Sequence, residues 1–138
     1  MKLRIRGSSL RLRLTRSEVA EIGAGNAVEE RIEFGGEPAQ QLFYALVPSD
    51  DFETPTAVFD SGRIAVFIPR SQADEWARTN QIGIEAEKPI TGKAETLRIL
   101  VEKDFTCLEP RAGGEDTDTF VHPFQNKAED QILLKAFD

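Results

Sequence analysis

Four arginines near the start of the chain carry its most chemically specific pattern. Arg4 and Arg6 alternate with Leu3 and Ile5, and Arg11 and Arg13 alternate with Leu10, Leu12 and Leu14. A period of two puts the aliphatic residues on one face of a strand and the guanidinium groups on the other. Gly7-Ser-Ser between the two runs has the composition of a hairpin connection. Arginines in this array suit phosphate and base-edge contacts, so Arg4, Arg6, Arg11 and Arg13 are the candidate nucleic-acid-binding residues. The same residues would equally serve as the solvated face of an edge hairpin, paired with acids elsewhere. Residues 1–17 hold Lys2, Arg16 and these four arginines with no acid, whereas the whole chain carries a net charge of −7. That asymmetry points to an anionic partner for the N-terminal segment.

Two further groups of residues qualify as candidate sites. Glu85 and Glu87 fall on one face of a strand, and Glu102 and Asp104 on one face of another. Four carboxylates side by side would suit a hard cation, which takes several oxygens, or a phosphate-handling site with arginines close by. They would also serve as cross-strand partners of the N-terminal arginines. Cys107 and His122 are the only cysteine and histidine. A zinc site on this pair would need Asp104, Asp116 or Asp118 to complete it, and Cys107 with His122 as base would make a nucleophilic pair if the fold brought them together. A strand-ending cysteine and a loop histidine are the simpler reading, so no catalytic residue, metal or cofactor is assigned. A single cysteine excludes an internal disulfide and fits a reducing compartment. Gly23-Ala-Gly-Asn follows a helix where a phosphate-binding glycine loop would follow a strand, and it reads as a helix terminus.

The elements that position these residues repeat at an offset of 54. Arg16, Ser17, Glu21 and Asn26 recur as Arg70, Ser71, Glu75 and Asn80. Leu10, Leu12 and Leu14 map onto Ile64, Val66 and Ile68, and Val19 and Ile22 onto Ala73 and Trp76. Both copies switch from strand to helical spacing at the same place. Thr15 with Glu18 makes a capping box for the first helix, and Gly23 or Gly25 ends it. Ser71 with Asp74 offers a weaker cap for the second, whose inner face holds Trp76. Strands are expected over 28–34, 41–47, 56–60, 63–68, 81–87 and 96–105, with Ser61-Gly62 as a second hairpin turn and 48–55 as the seam between halves.

These observations predict a mainly β (α+β) protein: pseudo-duplicated ββαββ units, 1–48 and 55–105, forming one small β-barrel with two short helices. Residues 106–138 form an acidic C-terminal extension, in which Phe120 offers an aromatic anchor and 127–137 a short helix suited to a protein partner. No run approaches the roughly 20 apolar residues that span a bilayer, and the N-terminus lacks the apolar core of a secretory signal. A cytoplasmic monomer or homodimer follows as the default.

Residues 2–32, Lys2-Leu-Arg-Ile-Arg through the first helix, resemble AbrB and MazE-like swapped-hairpin domains. Residues 56–87, with Ile68-Pro-Arg-Ser leading into the second helix, resemble them more weakly. The resemblance implies a barrel of two ββαββ units that contacts DNA through basic residues of the first strands. Ala65 and Phe67 stand where the first copy has Arg11 and Arg13, so half of a symmetric DNA-binding face is missing. Over its length, including Leu97-Arg-Ile-Leu-Val-Glu-Lys-Asp-Phe-Thr-Cys-Leu, the chain also resembles a small bacterial family of unknown function. The expected role is a non-enzymatic binding module for nucleic acid; a metal- or phosphate-binding barrel and a partner module acting through the extension are the alternatives.

Overall fold

In a computed structural model of the chain, which describes residues 1–106, 118 and 120–121, the first half runs β1 (Lys2–Arg6), β2 (Ser9–Leu14), α1 (Arg16–Gly23), β3 (Val28–Glu33) and β4 (Gln41–Ser49). The second half repeats that order as β5 (Thr56–Asp60), β6 (Arg63–Pro69), α2 (Arg70–Arg78), β7 (Gly83–Pro89) and β8 (Thr96–Lys103). Two short strands follow, β9 (Phe105–Thr106) and β10 (Phe120–Val121), paired in parallel. The seam is shorter than expected, because Pro48 and Ser49 continue β4 alongside β6.

The halves interlock. One sheet has the order β1-β2-β8-β7 and the other β3-β4-β6-β5. Each therefore combines one hairpin from each half, and neither half can assemble a four-stranded sheet alone. The sheets are also topological copies of each other. Strand β2 lies antiparallel to β1 and parallel to β8, and its counterpart β6 lies antiparallel to β5 and parallel to β4. Leu12 sits beside Leu3 and Val101, as Val66 sits beside Ala57 and Leu46.

The expected single closed barrel does not form; the strands make two separate four-stranded sheets. The edge strands explain the separation. Lysine, arginine or glutamate side chains line β1, β3 and β7, and β7 ends in Pro89, features that block edge-to-edge pairing. Side chains bridge the two sheets instead. Lys88 Nζ donates to the Ala57 carbonyl at 2.5 Å, and Tyr44 Oη lies 3.1 Å from the Met1 carbonyl.

Alternation places Leu10, Leu12, Leu14, Ile64, Val66 and Ile68 between the sheets, where β4 and β8 add Tyr44, Leu46, Ile99 and Val101. The helices close one end of this core with Val19, Ile22, Ala73 and Trp76. Helix α1 begins with the expected capping box: Thr15 Oγ1 accepts from the Glu18 amide and Glu18 returns to the Thr15 amide. It ends through Gly25 at φ 90°, while Gly23 stays helical. A Cβ on Gly23 would lie 2.9 Å from that of Ala77, so glycine there lets the two helices approach closely. Helix α2 departs from expectation. It starts at Arg70 behind Pro69, and no side chain caps it, because Ser71 falls inside the first turn.

Beyond β8 the chain returns to the body. The Phe120 amide donates to the Asp104 carbonyl at 2.7 Å, and the Phe120 ring meets Phe105 edge-on at 6.0 Å, as the expected anchoring role requires. The proposed helix over 127–137 lies outside the described residues.

Candidate anion-binding face

Strand register brings the four arginines together on the outer face of the β1-β2-β8-β7 sheet. Arg4 lies directly opposite Arg11, Lys2 opposite Arg13 and Arg6 opposite Ser9. On the far side of β2, Arg13 adjoins Glu102, Arg11 adjoins Leu100 and Ser9 adjoins Arg98. The last strand adds Glu85 beside Leu100 and Glu87 beside Arg98. The face thus grades from cationic at β1 and β2 to anionic at β7.

Glu102 sits at the junction. Its carboxylate forms ion pairs with Arg11 Nη2 and, at 3.1 Å, with Arg13 Nε, and it is almost wholly buried between them. Lys2 reaches Asp104 at 3.5 Å, and Arg98 donates to Glu85 at 2.8 Å. That hydrogen bond holds the Arg98 guanidinium above its ordinary value. At Arg4, burial and the neighbouring charges of Arg11, Arg6 and Arg13 act the other way and lower it. The group remains charged at neutral pH.

Of the four carboxylates considered as a cation site, Glu102, Asp104 and Glu85 each have a basic partner. Among the described residues no three His, Cys, Asp or Glu side chains meet in a metal-holding group. Cys107 and His122, and with them the nucleophilic pairing, lie outside the described residues, as does Asp116. Asp118 caps a helix: its carboxylate accepts the Ser17 amide at 3.1 Å and the Ser17 hydroxyl. Those hydrogen bonds at a helix N-terminus hold it below the ordinary carboxylate value.

Two charged clusters lie outside the candidate residues of the sequence. The N-terminal ammonium donates to Glu18 Oε2 at 2.6 Å and to Glu30 Oε1 at 2.7 Å, and Tyr44 Oη donates to Glu30 Oε2 at 2.6 Å. Glu18 therefore caps α1 with one oxygen and holds the ammonium with the other. Burial opposes the charged amine, but the bonds to Glu18 and Glu30 outweigh it and raise its pKa above the ordinary 8.0. Burial likewise opposes charge on Glu30, yet the ammonium and Tyr44 bring it below 4.5. Burial, then the bond to Glu30, pushes the Tyr44 phenol upward. The second cluster surrounds Lys103, whose ammonium donates to the Thr79 carbonyl at 2.6 Å and lies 5.3 Å from the Phe120 ring. Burial lowers its pKa.

The first cluster has a definite pH signature. A raised amine contributes stability that is complete below its unfolded value and is lost as pH rises through the folded value. A depressed Glu30 contributes stability that is present above its unfolded value and is lost as pH falls through the folded one. The advantage of the wild type over Glu30→Gln in thermal midpoint is therefore expected to be greatest between about pH 5 and 8 and to shrink on both sides. Parallel midpoint curves for the two proteins would show that the cluster carries no linkage.

The fold and this face together define a β-rich fold of two interlocked ββαββ halves, with a strongly polarised charged sheet face. The chain belongs to a family of unknown function, DUF7009, whose model matches residues 1–124. No curated protein and no solved structure matches it.

Proposed function

We propose that the protein is a non-enzymatic binding module whose arginine face takes an anionic polymer, with nucleic acid as the ligand. The crowding of Arg4, Arg6, Arg11 and Arg13 on one two-stranded ribbon carries this reading. Cations clustered on one ribbon attract a polyanion and displace its condensed counterions. The interlocked hairpins support the swapped-hairpin likeness of residues 2–32. The second half lacks the arginines, so the face is single-sided. Arg11 and Arg13 share Glu102, whereas Arg4 and Arg6 lie on the edge strand β1, where a substitution reports polymer binding without orphaning that carboxylate.

The test is binding of labelled oligonucleotides by the wild type and by Arg4→Ala with Arg6→Ala. This pair is preferred to Arg11 and Arg13 because removing those two would orphan Glu102. The double variant is expected to lose affinity about tenfold or more at low salt while keeping its fold. An unchanged affinity would remove the arginine face from the proposal.

A further inference from the structure

Three rows of outward-facing residues cross the β1-β2-β8-β7 sheet. Lys2, Arg13, Glu102 and Gly83 stand side by side in the first, Arg4, Arg11, Leu100 and Glu85 in the second, and Arg6, Ser9, Arg98 and Glu87 in the third. The second and third rows begin with an arginine on β1 and end in an exposed carboxylate on β7. Neighbouring strands lie about 4.8 Å apart, so β7 is about 10 Å from β2 and about 14 Å from β1. The shorter of these distances is about one Debye length at 0.1 M salt. A phosphate over β8 therefore meets the field of Glu85 and Glu87, whereas one over β1 is largely screened from it.

The third row also holds a cation beyond the four of the β1-β2 ribbon. Only Ser9, with its short side chain, stands between Arg98 and Arg6, and both arginines are exposed. Arg98 Nη2 donates to Glu85 at 2.8 Å, and Glu87 adjoins Arg98 in the strand register. Two carboxylates thus offset one guanidinium. The Arg98 and Glu85 side chains are 63% and 61% exposed, so water screens the pair and holds it weakly. Arg98 is therefore within reach of a polymer seated on the ribbon, but at the end of the row where the local charge is negative.

We infer that β7 is the acidic boundary of the arginine face, confining a nucleic acid to a track along β1 and β2, and that Arg98 is a further phosphate contact which Glu85 and Glu87 hold in reserve. This rests on the reading of the arginine face as a nucleic-acid site and adds where the polymer runs. The test is titration of a labelled oligonucleotide over a range of salt, with the wild type and with Glu85→Thr plus Glu87→Thr. Threonine suits a strand and is too short to reach Arg98. Both changed positions are exposed, so circular dichroism should match the wild type. The threonine variant is expected to bind at least about threefold more tightly at low salt, with the slope of log K against log salt steeper by about 0.7 to 0.9, one added phosphate contact. Arg98→Ala distinguishes a released contact from a mere change in net charge. It should cost the threonine variant at least about threefold more affinity than it costs the wild type. A salt slope unchanged in the threonine variant, or an equal cost of Arg98→Ala in both backgrounds, would overturn the inference while leaving the arginine face standing. No binding by either protein at low salt would instead remove the arginine face, and its boundary with it.

Discussion

Trp76→Ala is expected to lower the unfolding free energy by about 3–5 kcal/mol, the range for deleting a buried aromatic side chain. Trp76 is wholly buried on the inner face of α2. Its indole Nε1 donates to the Ile82 carbonyl at 3.0 Å, tying α2 to the chain leading into β7. The Lys103 ammonium lies 6.0 Å from its ring, so alanine would also bring a cavity beside a buried charge. Its counterpart in the first half is Ile22, which fills much less volume, so the helix layer is asymmetric and leans on Trp76. Urea denaturation would measure the loss, with the denaturant slope showing whether unfolding stays two-state. Trp76→Phe retains the ring contact and forfeits the hydrogen bond, and should cost distinctly less. A loss below about 1 kcal/mol for the alanine variant would mean that the helix layer contributes little to holding the two sheets together.

Glu102→Gln is expected to have two effects of opposite sign. Stability should fall by about 1–3 kcal/mol, since the change removes the charge shared by Arg11 and Arg13. The upper part of the range for buried pairs is out of reach, because the two arginines are 24% and 18% exposed and solvent screens them. Affinity for a polyanion should rise, because an internal anion no longer competes for the same guanidinium groups. A variant that is only destabilised, with unchanged polyanion affinity, would assign Arg11 and Arg13 to the architecture and confine binding to β1. Chemical denaturation together with oligonucleotide titration on the same samples separates the two effects.

The local elements were legible because each rests on a short-range pattern. Alternation over 2–6 and 9–14, the Thr15–Glu18 box and the Ser61-Gly62 turn all depend on residues a few positions apart, and all stand in the structure. Trp76 was recognisable as core from its place on the second helix. The pairing of hairpins was not legible in the same way. The 54-residue repeat specifies two similar halves, but both a closed barrel and two exchanged sheets satisfy the same alternation. The choice depends on which edges are blocked by charge. The site divided along the same line. The arginines were found by their period, whereas their engagement with Glu102 was one of two readings that alternation allowed equally, since β2 and β8 are far apart in sequence and adjacent only through the crossover. The cluster of Met1, Glu18, Glu30 and Tyr44 spans three elements and carries no motif. Lys103 did carry a signal: it continues the inward-facing series of Ile99 and Val101, which marks a lysine destined for burial.

The central claim is that the outer face of the β1-β2-β8-β7 sheet binds a polyanion through its arginines. The most direct measurement is the equilibrium constant for a labelled oligonucleotide as a function of salt, for the wild type and for Arg4→Ala with Arg6→Ala. Each phosphate contact contributes about −0.7 to −0.9 to the slope of log K against log salt, so four arginines set a slope of about −3 to −4. The double variant is predicted to lose about half of that slope. Absence of binding at low salt, or a slope that the double variant leaves unchanged, would contradict the account.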